Sequence, residues 1–150
     1  MSIPSVGARI ALGADHGGYE QKESLKTWLI DRGYSVKDMG TDGTASVDYP
    51  DYAHIVAKLV NRGEADIGIL VCGTGLGMAI AANKVAGVRA VGVTTVDFAR
   101  LAREHNDANV LCLSGRFVDD GQNKNIVDAF LSTAFEGDRH VRRVAKLENC

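Results

Sequence analysis

Ile67-Gly68-Ile69-Leu70-Val71-Cys72-Gly73-Thr74-Gly75-Leu76-Gly77 decides the fold of this chain. Its first five residues are an apolar run with no polar alternation, the pattern of a central parallel strand covered on both faces. Three glycines at alternate positions follow, and an Ala-rich stretch comes next. That is a sharp turn from a buried strand into a helix, where backbone must bend or approach a ligand closely. Strand, turn and helix in this order form the repeating unit of a parallel sheet.

The same alternation continues outward in both directions. Residues 9–13 read as a first strand and 19–32 as a helix, with Leu25, Trp28 and Leu29 on one face and Gly33 as its C-cap. Residues 34–39 are a second strand and 40–48 a polar loop. Pro50 stands in the first turn of a helix that runs to Gly63, a position that tolerates proline. Downstream, the Ala-rich helix ends near Lys84 and residues 89–93 form a fourth strand. A helix capped by Thr95 or Asp97 then runs to Glu104 or beyond. Residues 110–113 are a fifth strand, 120–135 a helix, and 138–149 an exposed basic helix. Five strands interleaved with helices predict an α/β fold with an open, doubly wound parallel sheet.

Length and composition fit that expectation. A chain of 150 residues reads as a single domain, residues 1–150. Glycine is abundant, 17 residues or about 11 % against a usual ~7 %, while proline is scarce at 2. Lys and Arg number 17 against 19 Asp and Glu, a formal charge of −2, which argues against a dedicated nucleic-acid binder. No apolar run approaches the roughly 20 residues of a membrane span. The first seven residues lack the basic start and apolar core of a signal peptide. Cys72, Cys112 and Cys150 are odd in number and widely spaced, so no disulfide framework is expected. The expectation is a reduced, cytoplasmic protein that binds neither nucleic acid nor membrane.

In doubly wound sheets, ligands bind outside the carboxyl ends of the strands. That rule selects Asp15-His16 after the first strand, the Cys72 loop after the third, and Ser114-Gly115-Arg116 after the fifth. The glycine loop leaves backbone N–H groups uncovered beside a helix start, an arrangement suited to an anion, and Cys72 at its edge suits a thiolate. The loop matches no Walker A sequence, because no lysine follows its glycines. Its third glycine comes one residue early for a dinucleotide fingerprint, and Met78 stands where a cysteine phosphatase needs arginine. Asp15-His16 suits acid/base work or sugar hydroxyls, and equally a helix N-cap. His105 closes a helix, where the dipole alone accounts for it. Arg139 and Arg143 lie one turn apart and, with His140 and Arg142, form either a phosphate clamp or a solvated basic face. His16, His54, His105 and His140 have no ligand-like local spacing, so no metal site is expected.

These motifs occur together and in order. Asp15-His16-Gly17-Gly18, Asp48-Tyr49-Pro50, Cys72-Gly73-Thr74-Gly75-Leu76-Gly77-Met78, Asn83-Lys84, His105-Asn106-Asp107, Ser114-Gly115-Arg116 and Arg139-His140 with Arg143 span nearly the whole chain. The set resembles the ribose-5-phosphate isomerase B family, which includes galactose-6-phosphate isomerase subunits. The resemblance implies a Rossmann-like three-layer αβα sandwich and a cofactor-free, metal-free aldose–ketose isomerase. Its reaction would interconvert ribose 5-phosphate and ribulose 5-phosphate through a cis-enediolate, in the pentose phosphate pathway.

The resemblance also implies homodimers or homotetramers whose active sites are shared between two subunits. His105 would assist ring opening with Asp15 close by, and Cys72 would be the base. Thr74 belongs to the catalytic set, and the N–H groups of Gly73, Thr74, Gly75, Leu76 and Gly77 would hold the oxyanion. His16, Arg116, Arg139 and Arg143 would bind phosphate, the last two from the neighbouring subunit; Tyr49 and Asn106 would contact the sugar. The C-terminal helix would thus pack on a partner. One family branch lacks the cysteine and carries glutamate at the position of Met78, so Cys72 with Met78 assigns this chain to the cysteine branch. Two alternatives stay open: an isomerase of a six-carbon sugar phosphate, such as allose or galactose 6-phosphate, and a non-catalytic nucleotide-binding module.

Overall fold

The computed structural model describes residues 7–150; residues 1–6, which fall in the segment read above as lacking a signal peptide, lie outside the described residues. The strands are β1 (Arg9–Ala14), β2 (Ser35–Asp38), β3 (Ile67–Cys72), β4 (Ala90–Gly92) and β5 (Val110–Ser114). The helices are α1 (Tyr19–Asp31), α2 (Tyr49–Asn61), α3 (Leu76–Ala82), α4 (Val96–Asn106), α5 (Asp120–Leu131) and α6 (Arg139–Leu147). All strand pairs are parallel, in the order β2-β1-β3-β5-β4. Every residue of β3 is buried, as its unbroken apolar run requires.

Alternation along the strands sorts side chains into two cores. Ile10, Leu12, Ile69, Val71, Leu111 and Leu113 face Leu25 and Leu29 of α1, Ala99 of α4, and Ile126 and Phe130 of α5. Ala11, Leu70, Cys72, Val110 and Cys112 face the other way, against Val56 of α2 and Met78 and Ala81 of α3. The result is a three-layer αβα sandwich. Met78 is fully buried in the second core, so its thioether is a packing group and not part of a site. Among the described residues, no helix is long and apolar enough to cross a membrane.

Several boundaries differ from the sequence expectation. Arg32 is the C-cap of α1, and Gly33 follows it at φ +91°. The third helix stops at Ala82 because the Asn83 side chain turns to the sheet. It donates to Ala90 O at 2.9 Å and accepts from Ala90 N at 2.8 Å, standing in for a neighbouring strand beside β4. The fifth helix ends at Leu131 and not at 135. Ser132 and Thr133 donate their hydroxyls to Asp128 O and Ala129 O at 2.7 and 2.6 Å, competing with the backbone ladder. Arg103 then holds Thr133 O through Nε at 3.2 Å.

Candidate active site

The chain leaves β1 toward one edge of the sheet and crosses back to β3, so the loops after β1 and β3 part at a switch point, where ligands bind. Asp15 N donates to Val71 O at 3.2 Å and brings the two loops together. Asp15 is 8 % exposed, and its Oδ1 accepts the Gly17 N–H at 2.8 Å. It caps its own turn, while Gly18 occupies the N-cap of α1. His16 Nδ1 accepts the Val47 N–H at 3.2 Å, so a neutral His16 carries its hydrogen on Nε2.

Cys72 ends β3 with 5 % exposure, and its Sγ accepts the Gly75 N–H at 3.1 Å. Gly75 has φ +81°, a left-handed conformation that aims this N–H back at the sulfur. Thr74 Oγ1 accepts the Leu76 N–H at 3.2 Å. Two of the five loop N–H groups expected to hold an oxyanion are therefore already engaged, which leaves those of Gly73, Thr74 and Gly77. The helix that follows has only seven residues, so these local N–H dipoles, more than a long helix axis, make the site positive. Arg116 N donates to Gly73 O at 3.1 Å, and its side chain lies over Gly73. The Tyr49 ring, at the start of α2, lies across Gly77. Cys112 sits in the same core as Cys72, but burial, and secondarily Cys72 itself, push its thiol up, so it stays protonated and is no second base.

His105 and Asn106 are elsewhere. They end α4, which runs back antiparallel to the strands and delivers the chain to the start of β5. Asn109 N donates to Arg89 O at 3.0 Å just before β4 begins, which marks this as the amino end of the sheet. The five residues of β5 alone span about 13 Å. Within one chain Asp15 is therefore not beside His105, so only a site shared between subunits could bring the two together. Around His105 the fold gathers a second set: Asn106, His140 and Arg143 line one hollow of about 240 Å³. Arg139 and Arg143 share the helix α6, as their spacing requires. Arg103 and Arg89 secure the base of this set. Arg103 Nη1 donates to Asp107 Oδ1 at 3.0 Å, Arg89 Nε donates to Asp107 O at 2.8 Å, and Asp107 takes φ 48° at the helix end.

Sequence reasoning missed one contact here. The His105 and His140 rings stack with centroids 4.4 Å apart and planes 14° from parallel. Ligand atoms of His105, Glu136 and His140 lie within 4.8 Å of one another, the one group of this kind among the described residues. Nearly parallel rings send their nitrogen lone pairs in parallel directions, so the pair does not converge on a single ion. The i, i+4 spacing of Glu136 and His140 was the available signal. Burial, then the charges of Arg139 and His105, hold the His140 imidazole below its ordinary range, and Glu136 opposes them.

The arrangement matches known proteins along nearly its whole length. The family described as Ribose/Galactose Isomerase matches residues 10–147. Ribose-5-phosphate isomerase B of Escherichia coli is 48 % identical over 136 residues, 91 % of each chain. The solved structure of Clostridium thermocellum ribose-5-phosphate isomerase B superposes with a TM-score of 0.93 at 50 % identity, covering 94 % of this chain and 95 % of that one. Ribose-5-phosphate isomerase B from Mycoplasma genitalium, solved with bound ribulose-5-phosphate, gives a TM-score of 0.91 at 45 % identity over 97 % of each chain. With its sheet order, its switch-point loops and its spaced motifs all in agreement, this chain belongs to the ribose/galactose isomerase family.

Proposed function

We propose that this chain is an aldose–ketose isomerase that interconverts D-ribose 5-phosphate and D-ribulose 5-phosphate, a step of the pentose phosphate pathway. The relatives named ribose-5-phosphate isomerase B, one of them holding ribulose-5-phosphate, support the substrate. The observation that carries the chemistry is Cys72 Sγ beneath the Gly75 N–H at 3.1 Å, at the mouth of a loop of backbone donors.

The furanose opens first: the C1 hydroxyl gives up a proton and the ring oxygen gains one, with His105 assisting. Cys72 then takes the C2 proton, and the electron pair left behind forms the C1–C2 double bond of a cis-enediolate. Charge moves onto the C1 oxygen, where the N–H groups of Gly73, Thr74 and Gly77 receive it. Fixed donors of this kind are each worth about 100- to 1,000-fold in rate. The thiol returns the proton to C1, the C2 hydroxyl proton passes to the C1 oxygen so that C2 becomes the ketone carbonyl, and base and donors are restored. Asp15 and Tyr49 face the sugar hydroxyls together with Asn106. His16, Arg116, Arg139 and Arg143 bind the phosphate, Arg through planar paired donors.

Two copies are needed for this set. Cys72 and His105 stand at opposite ends of one sheet, so a complete site takes its Cys72 half from one subunit and its His105–Arg143 half from another. A homodimer with two such sites is the smallest closed assembly, and α6 then packs on the partner. Leu76, at 64 % exposure beside the glycine loop, and Phe117, at 78 % beside Arg116, are apolar groups suited to such cover. A thiol base also suits the reducing cytoplasm.

The test is conversion of ribose 5-phosphate to ribulose 5-phosphate in EDTA, comparing the native chain with Cys72→Ala. Activity that survives chelation and falls by about 100- to 10,000-fold in the variant is the expected result for loss of the proton-transfer group. A variant that retains activity removes Cys72 as base. A native chain inactive on the pentose but active on a hexose phosphate reassigns the substrate. Nucleotide binding without isomerisation removes the enzyme reading altogether.

A further inference from the structure

The half-site at the amino end of the sheet holds two groups that the mechanism above leaves idle. His140 is 4 % exposed, and its Nε2 makes no hydrogen bond. Glu136 presents Oε2 at 3.5 Å from His140 Nε2 and Oε1 at 4.0 Å from His105 Nε2, so one carboxylate faces both rings of the stack. Backbone contacts hold it there. Glu136 N donates to Glu104 O at 3.1 Å, fastening the loop before α6 to the helix that carries His105. The charged and titratable groups facing His140 are His105 from α4, Glu136 from that loop, and Arg139 and Arg143 from α6. Two imidazolium rings in face contact repel each other, so the stack disfavours a second proton. Both arginines oppose even the first, and Glu136 is the only group of the set that favours it.

We infer that Glu136 is a positioning residue for ring opening: its carboxylate faces the Nε2 edges of both stacked rings and orients them toward a proton. This rests on the reading of His105 as the ring-opening group. Glu136 does not touch substrate; it acts through the two histidines. Among the described residues it is the one carboxylate within 4.0 Å of both rings, so removing its charge disfavours their protonated form.

The test follows the imidazole C2 protons of His105 and His140 by NMR across pH in the intact, substrate-free protein, beside the pH dependence of turnover. In Glu136→Gln, the midpoint of the stacked histidines moves down by about one pH unit, the low end for loss of an opposite charge within about 4–6 Å. The alkaline limb of kcat for ribose 5-phosphate moves down with it, while KM changes little. Glu136→Asp, which keeps the charge, restores most of both. Glu136 is half-exposed, so neither variant threatens folding. A midpoint that stays in place in an active Glu136→Gln enzyme overturns the inference. So does a rise in KM with an unmoved pH profile, which would mark Glu136 as part of the phosphate surround. A native chain without isomerase activity fails differently: it removes the reaction itself, and the ring-opening role of Glu136 with it.

Discussion

A methyl group on Gly77 would sit 2.6 Å from the Tyr49 ring, whereas one on Gly75 would meet the backbone of Leu113 at 3.1 Å from a residue at φ +81°. The alternate glycines of the loop look equivalent in sequence, but they do different work. Gly75 turns an N–H onto Cys72, and Gly77 lets Tyr49 lie over the site. Gly77→Ala is expected to push the ring aside, raising KM for ribose 5-phosphate several-fold while costing about 1–2 kcal/mol of stability, the usual range for mild overpacking. Steady-state kinetics and a urea melt check both halves. Unchanged KM would remove Tyr49 from the sugar site. The loop's place between a buried strand and a helix start was legible from glycine spacing. Its donor count was not, because whether Thr74 Oγ1 and Cys72 Sγ consume N–H groups depends on torsions that no spacing specifies.

At the scale of elements, the apolar stripe of α1 was read as Leu25, Trp28 and Leu29, yet Lys22 lies on that stripe one turn earlier and is fully buried. Its Nζ reaches both Asp38 oxygens at 2.8 Å, with Glu23 Oε1 at 3.0 Å, and so ties α1 to the end of β2. Helical spacing located this position but gave no sign of its partner, because the pairing is made by tertiary contact. Burial of Asp38 raises its carboxyl, but hydrogen bonds from Lys22, Gly40 N and Lys26 outweigh that and hold it below the usual range. A carboxyl depressed in the fold contributes stability that is full above its unfolded value of about 3.9, and loses it as pH falls through the lower folded value. Asp38→Asn is expected to cost about 3 kcal/mol at pH 7, the low end for breaking a buried pair, because Glu23 still attends Lys22. The difference from the native chain starts to narrow below about pH 4, where the unfolded chain's carboxyl takes up a proton, and closes as pH falls through the lower folded value. Urea melts at neutral and acid pH measure this, and equal losses at both would show that the contribution of Asp38 is not ionic.

For the whole molecule, the decisive fact is that the two groups proposed for catalysis, Cys72 and His105, sit at opposite ends of one sheet. Part of this was within reach of the sequence: a helix that follows a strand in a parallel sheet runs backward, so residues ending α4 must lie away from those ending β3. The His105–His140 stack was out of reach, since 35 positions separate the two residues and no local period relates them. The division makes a sharp prediction for mixed subunits. Chains carrying Cys72→Ala and chains carrying Arg143→Ala are each defective alone. When they are unfolded together and refolded, random pairing puts half of the dimers in the mixed form. One site of a mixed dimer then carries both substitutions, and the other carries neither, since it draws Cys72 from one chain and Arg143 from the other. With two sites per dimer, the mixture should recover about one quarter of native activity, because a two-fold assembly repeats each heterologous pair of half-sites twice. If Cys72 and Arg143 of the same chain served one site, mixing would recover nothing beyond the sum of the two variants. A quarter recovered, with the refolded variants silent when measured separately, is the result that requires active sites built across the interface.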